Sequence, residues 1–175
     1  MTMAAAGDAT VVGRCVTVGG GGVLVVGYGN GLRTDDGIGP AVAARLAGDP
    51  RLAESDVRSM HQLTPELAFD ASRVSLLVLV DAAADVAAGE VVVRHLDPER
   101  VVGQAMTHHL DPAGLVGLAQ ELWGAAPPVV VVSVGVSSLE IGDRLSPVVE
   151  GAVPRAADAV AAIVEAAIVE AASRA

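Results

Sequence analysis

Short runs of branched aliphatic residues, spaced by stretches with helical periodicity, set the tightest limit on how this chain can fold. Val23–Val26, Leu76–Val80 and Val129–Val136 are nearly unbroken apolar runs bounded by Gly, Ser, Asp or Pro. Runs of that length and branching read as strands buried on both faces, the habit of a parallel sheet. Helix signatures lie between and after them. Gly37–Ala47 carries Ile38, Val42 and Leu46 at helical spacing, with Pro40 in the first turn, where a missing N–H costs nothing. Pro65–Ser72 predicts a short helix capped by Thr64, with Leu67 and Ala71 inward. Asp111–Trp123 has Asp111 as N-cap and Pro112 following it, with Leu115, Leu118 and Leu122 on one face. Ser146–Ala172 predicts one long closing helix capped by Ser146. Val57–Met60 and Glu90–Leu96 complete a set of five strands. A parallel crossover needs about a dozen residues or more. Glu90 follows Val80 too closely for that, so its strand is expected to run antiparallel to its predecessor through a turn at Gly89. The expected fold is a three-layer α/β/α domain with a five-stranded, mostly parallel sheet containing one antiparallel strand.

Composition supports that architecture. Hydrophobic residues make up 52% of the 175 residues but aromatics only 2%, so Val, Leu, Ile and Ala must build the core. The length suits one domain. Residues 1–22 read as a flexible glycine-rich leader and 23–175 as the domain. A net charge of −10 argues against nucleic acid or an anionic membrane as partner. No run reaches the roughly 20 apolar residues needed to span a bilayer, since Glu165 and Glu170 interrupt the closest one. The first residues also lack the pattern of a signal peptide. The single cysteine, Cys15, permits no internal disulfide and has no Cys or His at ligand spacing, so it reads as a bystander thiol in a reducing compartment. A cytoplasmic protein is expected.

Ligands of open α/β sheets bind beyond the carboxyl ends of the strands. Two acids fall there: Asp36, in the loop after the first strand, and Asp81, ending Leu76–Val80. A buried carboxylate is costly unless paired, so Asp81 calls for a metal ion or an arginine. Gly27-x-Gly29 superficially matches a dinucleotide fingerprint. However, Leu32 stands where the third glycine belongs, and Asp35 and Asp36 would face the pyrophosphate. The loop suits a cation better than a phosphate. Asp35 itself reads as a helix cap or a solvated side chain. Met106–Pro112 then supplies His108 and His109. Two oxygens and one imidazole suit an open site for a borderline divalent ion. His61 and His95 have no such setting and read as ordinary. With no GxSxG elbow, Cys–His pair or HExxH helix, a hydrolase of this sequence would draw its chemistry from a metal or from the substrate.

Taken in order, these residues resemble the hydrogenase maturation proteases, the C-terminal endopeptidases of nickel–iron hydrogenase large subunits. Gly27 to Gly39 is similar to the family's GxGNxLxxDDGxG-type loop. Asp81 in Leu-Val-Asp-Ala matches its strand-end aspartate, and His108 in His108-His-Leu-Asp-Pro112 matches HxLxP. The likeness runs from about Val23 to Ala162 and includes Gly135 to Pro147. It implies a phosphorylase/hydrolase-like fold and a nickel-recognising triad of Asp36, Asp81 and His108, with His109 as the alternative ligand. The family's first-loop ligand is often Glu, where this chain has Asp36. The nickel would arrive with the substrate, a large-subunit precursor, from which a short C-terminal peptide is removed. Asn30 and the glycines would shape the loop for close approach to that substrate. Two other readings are a nonproteolytic metal-recognising maturation factor on the same scaffold and a nucleotide-binding module.

Overall fold

The computed structural model describes residues 21–96 and 110–173. Cys15, His108, His109 and almost all of the expected leader lie outside the described residues. Five strands form one sheet: β1 (Val23–Tyr28), β2 (Ser55–Met60), β3 (Leu76–Ala83), β4 (Val91–Leu96) and β5 (Val129–Gly135). Their order is β2-β1-β3-β5-β4, with every neighbouring pair parallel except β4 on β5. A 3-10 turn over Thr34–Gly37 leads into α1 (Ile38–Leu46); α2 (Leu67–Ala71), α3 (Pro112–Trp123), α4 (Pro147–Glu150) and α5 (Val153–Ala172) follow.

Side chains alternate across a strand, so each strand of the central sheet feeds two cores. Val23, Val25, Val78, Val80, Val130 and Val132 pack with Ile38 and Val42 of α1 and with Val160 and Val164 of α5. On the other face, Leu24, Val26, Leu77, Leu79 and Val131 pack with Leu67 of α2 and with Leu115 and Val116 of α3. The result is the three-layer α/β/α arrangement expected, and its sheet is buried on both sides.

Three elements differ from the sequence expectation. β4 does run antiparallel to β3, but it pairs with β5 rather than with β3. Gly89 N–H donates to the Gly135 carbonyl, and Gly135 N–H donates to that of Glu90, which seats the turn beside the end of β5. The expected closing helix is two helices. Pro154 lacks the N–H for an intrahelical bond and its ring clashes with a carbonyl four residues back, so a helix starting at Pro147 cannot run through it. The helix at 65–72 is shorter than expected, and Thr64 contributes its carbonyl, to Leu67 N–H, rather than a side-chain cap.

The loop after β1 is fixed by the carboxylate of Asp35, which is fully buried. Its Oδ2 accepts from Ser137 N and Oγ (both 2.9 Å), Ser138 N (3.0 Å) and Ser146 Oγ (2.9 Å). Its Oδ1 accepts from Ser146 N at 2.6 Å. Asp35 is therefore neither a helix cap nor solvated, contrary to the sequence reading, and Ser146 spends its hydroxyl on Asp35 rather than on capping α4. Backbone bonds add to the seam: Thr34 N–H donates to Gly142 O, and Gly142 N–H to Leu32 O. Thr34 sits at φ +41°, an uncommon and strained conformation for a β-branched residue. Its hydroxyl donates to Ser138 O at 2.7 Å, one of the contacts that hold it there.

Close approach explains two motif glycines. A Cβ on Gly27 would fall on the Gly39 carbonyl, and one on Gly39 would fall on Tyr28 O and Val80 O. The pair lets the first turn of α1 lie directly against β1 and β3. These two glycines therefore serve internal packing. Gly39→Ala should cost about 1–3 kcal/mol or more, because backbone rather than a flexible side chain blocks the added methyl; urea unfolding measures this.

Asp35→Ala leaves several inward-facing donors without an acceptor and should cost at least about 3 kcal/mol. The pH response follows from the carboxyl's environment. Burial alone would raise its pKa, but bonds from Ser146, Ser137 and Ser138 outweigh that and hold it at about 2 against an ordinary 3.8. Its contribution is thus complete above the ordinary value and is lost as pH falls from about 4 through 2. Asp35→Asn should lack that part of the acid loss; unfolding curves at neutral and acidic pH compare the two.

Candidate functional site

The sheet reverses its winding between β1 and β3, since β2 lies to one side of β1 and β3 to the other. Such a switch point leaves a crevice at the carboxyl ends of the strands. The last register pair of β1 and β3 is Gly27 with Val80, and the next residues are Tyr28 and Asp81. Tyr28 Oη donates to Asp81 Oδ2 at 3.0 Å. The other oxygen, Asp81 Oδ1, is buried and has no hydrogen-bond partner among the described residues.

Asp36 reaches the same crevice from the turn that Asp35 anchors. It is half-buried, and its Oδ2 accepts Asn30 N–H at 2.9 Å. Asn30 Oδ1 in turn accepts Leu32 N–H at 2.9 Å, closing a small loop around the carboxylate. Gly29, at φ +144°, lets the strand end pass against Asp36, whose carbonyl a Cβ there would strike. Asp111 supplies a third acid. It caps α3 as expected, accepting Gly114 N–H at 2.6 Å.

The electrostatics of Tyr28 show that these acids share one neighbourhood. Its phenol is pushed far above the ordinary tyrosine range, first by burial, then by the charge of Asp81 and the bond to it, and then by the charges of Asp111 and Asp36. Burial also raises the Asp81 carboxyl, against the Ser133 and Tyr28 hydroxyls and the charge of Arg94, which lower it. Asp81 faces Ser133 in register on β5. The arginine that the sequence called for is near but engaged elsewhere: Arg94 donates to Ser133 Oγ at 3.4 Å and to Asp85 at 3.3 Å. A desolvated carboxylate with further acids nearby favours a cationic occupant.

The structure thus brings Asp36 and Asp81 to one end of the sheet, while His108 and its alternative His109 lie outside the described residues. Among the described residues, no group of three His, Cys, Asp or Glu is placed to hold a metal. His61 is exposed just after β2, whose last carbonyl, Met60 O, accepts Gly29 N–H. His95 pairs in register with Val130 near the start of β5, far along the strand from the crevice; its Nδ1 is buried without a partner among the described residues. Sequence reasoning missed Tyr28. The signal was present: it is the chain's only tyrosine, set between two glycines at a strand end, and a buried phenol seeks a hydrogen-bond partner.

No protein-family model matches the sequence, and no curated protein does. Solved structures do match. The chain is similar to the hydrogenase maturating endopeptidase HybD from E. coli, at 25% identity and TM-score 0.64, covering 81% of this chain and 91% of that one. It is similar to the hydrogenase 2 maturation peptidase from Thaumarchaeota archaeon SCGC_AB-539-E09, at 26% identity and TM-score 0.64, covering 81% and 97%. The [NiFe] hydrogenase maturation protease HycI from Thermococcus kodakarensis KOD1 shares the fold at 23% identity and TM-score 0.62, covering 82% and 92%. The likeness read from the sequence and the likeness of the folds agree: this chain has the fold of the hydrogenase maturation endopeptidases and is, as they are, a peptidase.

Proposed function

We propose that the chain removes a C-terminal peptide from the nickel-loaded large-subunit precursor of a nickel–iron hydrogenase, in the cytoplasm, with Asp36, Asp81 and His108 meeting the metal. The observation that carries this reading is the placement of Asp36 and Asp81 at the switch point of a fold shared with named hydrogenase maturation endopeptidases. The donor chemistry fits. Carboxylate oxygens with one imidazole suit a borderline divalent ion, and Asp81 Oδ1 is a buried acceptor without a hydrogen-bond partner among the described residues. The nickel is treated as part of the substrate. Such an ion polarises a carbonyl or orients a water for attack. The chain's own residues supply negative groups to meet it and a crevice formed where two strands part. No helix among the described residues is long and apolar enough to cross a membrane.

The test is direct. Nickel-loaded precursor incubated with the protein should shorten at its C-terminus, as read by mass spectrometry. Alanine at Asp36, Asp81 or His108 should slow this more than about a hundredfold, beyond the effect of losing a group that only supports a ligand. His109→Ala should remain active; the opposite pattern would exchange the two histidines. Precursor that stays intact yet is bound by the wild-type protein would replace the endopeptidase with a nonproteolytic maturation factor. Full activity in all three alanine variants would remove the site assignment.

A further inference from the structure

We infer that Tyr28 is a positioning residue that fixes which oxygen of Asp81 meets the cation. The inference rests on the reading of Asp81 as a site residue and adds a role for a side chain outside the proposed triad. Four observations carry it. Tyr28 Oη donates to Asp81 Oδ2 at 3.0 Å, so one carboxylate oxygen is already occupied. The other, Oδ1, is buried and lacks a hydrogen-bond partner among the described residues. The two side chains come from adjacent parallel strands, one residue past their last register pair, so the sheet sets their spacing rather than a loop. Among the described residues, Arg94, whose charge reaches Asp81, donates to Ser133 and Asp85.

A free carboxylate can rotate and bind a metal through one oxygen or two. Here rotation would break the phenol bond, and binding through both oxygens would compete with it. Asp81 therefore presents Oδ1 alone, in one orientation, before any cation arrives. Phenylalanine in place of Tyr28 would keep the ring's packing and remove only the hydroxyl.

A double-mutant cycle tests this with Tyr28→Phe, Asp81→Asn and the double variant in the full chain. Binding of nickel ion alone is measured by titration calorimetry, thermal midpoints are recorded, and cleavage of nickel-loaded precursor is followed in parallel. Tyr28→Phe should weaken nickel binding about ten- to a hundredfold, the usual effect of removing a group that orients a ligand, with a midpoint close to wild type. In the Asp81→Asn background the same change should cost nothing further. The inference is overturned if Tyr28→Phe binds nickel like wild type, if its loss persists undiminished beside Asp81→Asn, if the loss merely follows unfolding, or if the wild type takes up no nickel. Precursor left uncut by a wild type whose nickel affinity still depends on Tyr28 through Asp81 would remove the endopeptidase reading and leave the positioning role standing.

Discussion

The carboxylate of Asp35 holds together the part of the molecule where chemistry is expected. A single buried side chain gathers five donors from Ser137, Ser138 and Ser146, and so ties the loop after β1 to the loop after β5. Burying a charge is expensive. Here hydrogen bonding outweighs that cost, as the depressed pKa of the group shows. Asp36 stands one residue further on, and its position follows from that of its neighbour. The left-handed Thr34 is also kept by this seam, since its backbone and hydroxyl both bond across it. The staple thus adds to the backbone and Thr34 bonds that keep a strained turn and a half-buried carboxylate at the mouth of the crevice.

Adjacent aspartates thus do opposite work, although their chemistry is identical. Asp35 is saturated with donors and closed to solvent. Asp36 accepts from the Asn30 amide and remains half-buried beside Tyr28 and Asp81. Asp81 lies between these extremes, with one oxygen held and the other empty among the described residues. The chain's acidity has a local expression here. The −10 charge reads as ordinary solubility over most of the surface, but Asp36, Asp81 and Asp111 concentrate negative potential around one phenol.

Much of this was legible from the residues, and the physical reasons are specific. Valine and leucine runs marked the strands because a sheet covered on both faces leaves no polar alternation to confuse the pattern. The Asp-Pro pair at 111–112 marked a helix start for equally local reasons. Strand neighbours were harder. The short connection fixed the direction of β4, but its place beside β5 depends on bonds between Gly135 and residues 89–90, some forty-five residues apart in sequence. The role of Asp35 was not legible: a staple made by serines over a hundred residues away leaves no local trace. Tyr28 failed to stand out because its partner, Asp81, joins it only once β1 and β3 lie side by side. The motif glycines were recognised, but that Gly27 and Gly39 let helix α1 touch the sheet became visible only in the fold.

The Asp35 seam also dictates when the site can come into being. Its donors lie 102 to 111 residues beyond the acceptor. Contacts of such separation form late, because a long loop must close before they contribute. As the chain leaves the ribosome, β1, β2 and β3 and the residues of the first loop emerge well before Ser137 and Ser146. Through that interval the nascent chain already contains Asp36 and Asp81, yet lacks the closure that sets the first of them in place. The protein is thereby assembled as a scaffold first and acquires its acidic crevice only after the loop that follows β5 has been made.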